Sequence, residues 1–221
     1  MKIIALADLH GDLGRLPALA PVLEAADVVL LAGDLTHFGR AQAAQAVIAP
    51  LRRHSRRLFA VSGNCDYPEV EDYLAREGIG LHARHELVEG IAFLGVGGSL
   101  PCPGRTPNER PDDEFALLLE RAAAGLGPHL GMVLLSHQPP FETITDLAYL
   151  GGHVGSQAVR EFITTRQPLA CFTGHIHEGR GQDAVGRTVV ANPGPLRWGG
   201  YTYAEITAGR LAALEIRQLP A

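Results

Sequence analysis

The chain reads as a series of short apolar runs that each break off at a polar cluster. Lys2–Ala7 ends at Asp8-Leu9-His10-Gly11-Asp12, Asp27–Ala32 at Gly33-Asp34, and Leu58–Val61 at Ser62-Gly63-Asn64-Cys65-Asp66. Two later runs, Met132–Leu135 and Leu169–Phe172, end at Ser136-His137 and at Thr173-Gly174-His175-Ile176-His177. Runs this short, apolar at successive positions, predict strands buried on both faces. Between them lie segments with helical spacing: Leu13–Ala25, interrupted by Pro17 and Pro21, then Arg40–Arg53, Glu69–Glu77, Glu114–Ala124, and Ser156–Arg166 with Ser156 as its cap. Leu87–Leu94 predicts a hairpin turning at Glu89-Gly90, and Gly97–Pro111 and Thr143–Val154 predict loops. Thr188–Ala191, Tyr201–Ile206 and Leu211–Ile216 are strand-like. Strand and helix in alternation predict parallel pairing with helices on the faces, in a single α/β domain over 1–221.

Composition adds three limits. With 221 residues and 46% hydrophobic content the chain can close a core of ordinary size, and it holds no apolar run of the roughly 18 residues that cross a bilayer. The start, Met1 to Asp8, has an acid inside its apolar stretch and no small-residue cleavage site, so it reads as a strand and the expected location is cytoplasmic. Cys65, Cys102 and Cys171 cannot all pair and have no zinc-finger spacing. A net charge of −5 argues against a protein that coats nucleic acid, and the one basic cluster, Arg52 to Arg57, reads as a solvated helix end. Ten histidines point toward metal or acid–base chemistry.

The strand ends carry that chemistry. Ligand crevices of open α/β sheets lie at the carboxyl ends of the strands, and five strands here deliver Asp8 and His10, Asp34, Asn64, His137, and His175 with His177. If the segments stay extended, alternation puts Asp8 with His10, and His175 with His177, on one side. Two carboxylates, four imidazoles and one amide oxygen are too many for one tetrahedral ion and suit two ions that share a carboxylate.

Asp8-Leu9-His10, Gly33-Asp34, Gly63-Asn64-Cys65-Asp66, Ser136-His137 and Gly174-His175-Ile176-His177 resemble, in order, the motifs of the calcineurin-like metallophosphoesterase superfamily. The resemblance implies a four-layer α/β/β/α sandwich of two mixed β-sheets flanked by helices. It implies a dinuclear metal-dependent phosphoester hydrolase in which a metal-bridging hydroxide attacks phosphorus in line, with a phosphodiesterase the preferred reading. Asp8, His10 and His177 would hold the first ion, Asn64, His137 and His175 the second, and Asp34 would lie between them. The ions would be drawn from Mn, Fe, Zn, Co or Ni, with manganese favoured in vitro. The substrate would be a small phosphoester; a membrane and nucleic acid are not expected as partners, and the oligomeric state is open.

Cys65 departs from the commonest motif, in which a histidine at this place contacts the phosphate and protonates the leaving group. The same Gly-Asn-Cys-Asp variant resembles that of smaller bacterial and archaeal phosphodiesterases, and the stretch from His137 through Gly152-His153-Val154-Gly155-Ser156 is similar to Icc-like phosphoesterases. Cysteine is a weak hydrogen-bond donor, so the expectation is a preference for substrates with good leaving groups, or another acid such as His153 or His82. Catalytic candidates are therefore Asn64, Cys65, Asp66 and His153, with Asp12 and Asp66 also read as groups that orient the ligand histidines. His37 reads as a surface residue, Cys102 as structural, Asn192-Pro193-Gly194 as a supporting turn, and His54, His85 and His129 receive no role. The alternative readings are a phosphomonoesterase or nucleotide phosphatase on the same site and a non-catalytic protein-binding scaffold of the same fold, as in a retromer subunit.

Overall fold

The computed structural model describes residues 1–127, 131–149 and 151–220. His129, Leu150 of the predicted loop Thr143–Val154, and Ala221 of the expected domain lie outside the described residues.

The first three strands, β1 (Lys2–Leu6), β2 (Val28–Ala32) and β3 (Leu58–Val61), are parallel neighbours, connected through helices α1 (Leu16–Glu24) and α2 (Ala41–Arg52). After α3 (Pro68–Arg76) come the hairpin β4 (Arg84–Val88) and β5 (Ile91–Val96), helix α4 (Asp112–Ala122), β6 (Gly131–Ser136), α5 (Gln157–Arg166) and β7 (Ala170–Phe172). The remaining strands are β8 (Gly181–Val185), β9 (Thr188–Asn192), β10 (Gly200–Thr207) and β11 (Arg210–Gln218). They form two mixed sheets, in the orders β11-β10-β1-β2-β3 and β4-β5-β6-β7-β9-β8.

The alternation of side chains along each strand sorts the core into three layers. Ile4, Leu6, Val29, Leu31 and Leu58 meet Leu19, Leu23, Val47, Ile48 and Leu51 of the outer helices. The opposite faces of the same strands, with Ile3, Val28, Leu30, Phe59 and Val61, meet Phe93, Val133, Leu135 and Phe172 of the second sheet. The far side of that sheet, with Leu94, Met132, Leu134 and Cys171, is covered by Phe115 and Leu119 of α4 and by Val159 and Ile163 of α5. Both faces of the central strands are thus buried, which is why their sequences are apolar runs and not alternating ones. The result is the helix–sheet–sheet–helix sandwich expected from the motifs.

Local chemistry sets the element ends. The hairpin turns on Glu89 and Gly90 at φ 49° and 78°, the two left-handed positions of a tight two-residue turn. The Ser156 hydroxyl accepts from the Val159 N–H at 3.0 Å and caps α5. Pro17 sits in the first turn of α1, where its missing N–H costs nothing, and Pro21 lies inside the helix without ending it. Strand β8 is an element the sequence did not predict: Gly181-Gln182-Asp183-Ala184-Val185 is polar because it is an edge strand paired only with β9. Among the described residues, no helix is long and apolar enough to cross a membrane.

Candidate metal centre

The carboxyl ends of β1, β2 and β3 meet those of β6 and β7 along one edge of the sandwich. Two bonds join the sheets there. The His137 ring donates from Nδ1 to the Ala32 carbonyl at 2.7 Å, and the His175 N–H donates to Asp8 Oδ1 at 3.1 Å. Asp34, at the centre, faces both sheets: Oδ2 is 3.7 Å from His10 Nε2 and Oδ1 is 3.5 Å from His137 Nε2. Its Oδ1 also accepts the Cys65 N–H at 2.8 Å. His177 Nε2 lies 3.8 Å from Asp8 Oδ1 and 3.3 Å from His10 Nε2, and Asn64 Oδ1 lies 2.9 Å from His137 Nε2. Cys102 Sγ is 3.8 Å from His175 Nε2. The structure therefore gathers all seven residues predicted as ligands.

The donor atoms face one another in a way that fits cations. A neutral His137 has one N–H, already given to Ala32, so its Nε2 and the Asn64 oxygen are two acceptors set against each other. Asp8 Oδ2 and His10 Nδ1 are buried without a hydrogen-bond partner. Among the described residues no lysine or arginine pairs with Asp8 or Asp34; their ion-pair neighbours are histidines. Ligand atoms form three overlapping clusters: Asp8, His10 and His177, then His10, Asp34 and Cys65, and the last Asp8, Asp34 and His137. Asn64 and His175 extend the last.

Burial, and after it the charge of Asp34, pushes the Asp8 carboxyl well above the usual carboxylate range. Burial opposes ionisation of Asp34 too, but His137, His10 and the Cys65 N–H outweigh it and hold that carboxyl low. Burial is the first cause that lowers His175 to about 3 and His177 to about 4, with His137 and His10 next. These rings stay neutral, as metal ligands must be. A histidine held neutral by burial binds fewer protons folded than unfolded. Its stabilising share is present above the unfolded value near 6.5 and is lost as pH falls toward about 3. In metal-free protein, His175→Gln is expected to flatten the loss of Tm between pH 6.5 and 4. A variant profile parallel to the native one would contradict it.

Two glycines make the approach possible. A Cβ at Gly63 would lie 2.0 Å from Asp34 Oδ1, and one at Gly33, where φ is 85°, 2.4 Å from His137 Nδ1. Gly33-Asp34 and Gly63-Asn64 are therefore single units: the glycine makes room for a ligand arriving from another strand.

Several sequence expectations need correction. The ligand segments are not extended: Asp8, His10, Asp34 and His175 have φ of 52°, 48°, 48° and 67°. Tight left-handed turns, stabilised by the bonds above, converge the side chains, and alternation does not. Asp66 orients no histidine; its carboxylate takes the N–H groups of Gly63, Leu35 and Thr36 and the Thr36 hydroxyl. Asp12 accepts from Gly14 N–H in its own turn and likewise orients no histidine. His82 is no candidate acid, because its Nδ1 accepts the Gly97 N–H and its Nε2 faces Glu71 at 3.5 Å, within a half-buried cluster with Arg110. His153 is held by Asp146 at 2.7 Å and packs by Phe141, with its side chain 38% exposed. His37 is closer than expected, with its ring 5.8 Å from that of His10. Cys102 is a residue the sequence reading missed, since nothing in the Gly/Pro-rich loop signals that it folds against His175. Asn192 does support the site: its amide holds the Gly174 and Ile176 carbonyls at 3.4 and 2.8 Å.

Two sheets joined at their strand ends by carboxylates, imidazoles and an amide present a donor set suited to divalent metal ions. The sequence model of the calcineurin-like phosphoesterases matches residues 1–179, and the chain belongs to that family. An uncharacterised protein of Methanocaldococcus jannaschii is 37% identical over 199 residues, 88% of each chain. Among solved structures, a protein of Thermus thermophilus is similar over 98% of both chains (TM-score 0.77, 23% identity). The phosphopantetheinyl hydrolase of Mycobacterium tuberculosis is similar over 89% of this chain and 90% of its own (TM-score 0.58, 20% identity). A purple acid phosphatase from yellow lupin seeds covers 99% of this chain with 51% of its own (TM-score 0.62, 13% identity). At these identities the structural likeness speaks for the fold.

Proposed function

We propose that the protein is a dinuclear metal-dependent phosphodiesterase of small phosphoesters. The observation that carries this reading is Asp34, one carboxylate facing His10 on one side and His137 on the other. Asp8, His10 and His177 would hold one ion, Asn64, His137 and His175 the second, and Asp34 both. Bound there, two divalent ions supply a water acidified to near neutrality and positive charge at the phosphoryl oxygens. The Asp34 and Asp8 carboxylates set the charge of the cradle, and the buried neutral imidazoles leave their lone pairs available at physiological pH. The metal set stays that of the donor chemistry, Mn, Fe, Zn, Co or Ni. Cys65, Cys102 and Cys171, all free thiols, support a reducing, cytoplasmic compartment.

Cys65 supports the choice of diester and the kind of leaving group. Burial first, and then the charge of Asp34, raises the Cys65 thiol in the metal-free protein, and a thiol is a weak hydrogen-bond donor in any case. A thiol of that kind is a poor proton donor to a departing alkoxide. A diester monoanion with a good leaving group needs neither that proton nor the extra cation that a monoester dianion would require. The expected result, with manganese-loaded protein, is faster turnover of bis(p-nitrophenyl) phosphate than of p-nitrophenyl phosphate, and a high ratio of aryl to alkyl diester rates. Cys65→His is expected to lower that aryl-to-alkyl ratio by about 10²-fold, the worth of a positioned acid. An unchanged ratio would remove Cys65 from the explanation, and an intact metal pair with no turnover of any ester would favour the scaffold.

A further inference from the structure

Two exposed aromatic side chains flank the Asp8–His10–His177 half of the centre. The Trp198 ring lies 6.0 Å from that of His177, and on the other side the Phe38 ring lies 4.9 Å from that of His37, itself 5.8 Å from His10. His10 and His177 are 5.4 Å apart, so an unbroken row of rings runs from Phe38 across the ligands to Trp198. Both ends are open: Phe38 is 48% and Trp198 43% exposed.

Each end is held in place by the chain around it and not by burial of its own ring. Phe38 has φ 54°, a conformation that bulky residues rarely adopt. Strain of this kind persists only where surrounding contacts over-determine it, and it gathers at ligand sites. Here the Thr36 hydroxyl donates to Asp66 at 2.7 Å and accepts the Gly39 N–H at 3.0 Å, while Gly39 O accepts the Tyr67 N–H at 3.1 Å. The buried carboxylate thus forces an aromatic ring outward beside the metal ligands. Trp198 closes a short 3-10 turn, Leu196–Trp198, anchored by the fully buried Leu196. Its neighbour Arg197 places a guanidinium 5.9 Å from the indole.

We propose that Trp198 and Phe38 form a ring-binding rim that selects phosphoesters carrying a planar aromatic group, a nucleobase or an aryl ring. This deepens the phosphodiesterase reading and rests on it. Ring stacking is tolerant of identity, because every base or aryl group presents a π face, while the metal centre supplies the common recognition of phosphate.

The test compares two unreactive probes with the same head, phenylphosphonate and methylphosphonate, binding to the metal-loaded protein by calorimetry. Trp198 is the only tryptophan of the chain, so its fluorescence reports contact directly. The native protein is expected to bind phenylphosphonate about tenfold more tightly, on the scale of one aromatic contact. Phenylphosphonate alone should change the Trp198 emission. Loss of the ring that the phenyl group stacks on, by Trp198→Ala or by Phe38→Ala, is expected to bring the affinity ratio toward one, and Phe38→Ala keeps the fluorescent reporter. Equal affinities in the native protein, a ratio unmoved in both variants, or no binding of either phosphonate overturns the proposal. A ring-dependent affinity in a protein that hydrolyses no phosphoester would leave the rim standing and overturn the phosphodiesterase reading. Turnover with equal affinities does the reverse.

Discussion

Asp34→Ala is expected to abolish turnover, by about 10³-fold or more in kcat/KM, and to leave the protein unable to hold two metal equivalents together. The size follows from what the carboxylate does. Removing a single preorganised group that stabilises transition-state charge costs about 10²–10³-fold, and Asp34 faces both halves of the centre. The variant also strips the Cys65 N–H of its 2.8 Å acceptor, so the Asn64 loop loses a tie to β2. Elemental analysis after chelation and reloading, with bis(p-nitrophenyl) phosphate kinetics, reads both effects. Two metal equivalents retained with activity within tenfold of native would refute the bridging assignment.

Asp66→Ala is expected to be the most damaging single substitution for stability outside the apolar core. The carboxylate is fully buried and accepts at 2.8, 3.0, 2.8 and 2.7 Å from Gly63 N–H, Leu35 N–H, Thr36 N–H and the Thr36 hydroxyl. Each orphaned buried donor costs about 1–3 kcal/mol, and their sum is less than additive. A loss of about 4 kcal/mol corresponds to a fall in Tm of about 10 °C for a chain of this size. Burial first, and then the charge of Asp34, holds the Asp66 carboxyl up to about 7, against the pull of the donors from Gly63 and Thr36. Because the lost donors belong to the loops after β2 and β3, activity should fall with stability, and Asp66→Asn should recover part of the Tm. A Tm within 2 °C of native in the alanine variant would refute the clamp.

These expectations show where the sequence was legible. Asp8, Asp34, Asn64, His137 and His175 could be found because each closes or follows an apolar run, and burial on both faces leaves no other way to write a central strand. The hairpin at Glu89-Gly90 was legible for the same local reason, since only left-handed residues turn so tightly. Asp66 was misread, because its position beside Asn64 suggested a partner for a histidine, whereas its bonds run back to Leu35 and Thr36, some thirty positions away in the chain. His82 and His37 exchanged parts on similar grounds: neither residue's neighbours in sequence reveal which loop it packs under. Strand β8 has no apolar signal at all, because an edge strand exposed on its outer side owes its form to the partner's hydrogen bonds.

By itself, then, the sequence determined most of the elements in their order and the chemical identity of the groups at the strand ends, while the layering came from the resemblance of the motifs. The elements and the residue types follow from local periodicity and from side-chain type. Only the tertiary structure decided the left-handed turns that aim Asp8, His10, Asp34 and His175, the glycine gaps at Gly33 and Gly63, the clamp of Asp66, and the row of rings from Phe38 to Trp198. Those features arise where loops from different strands meet. Their geometry is set by contacts between residues far apart in the chain, which no local pattern records.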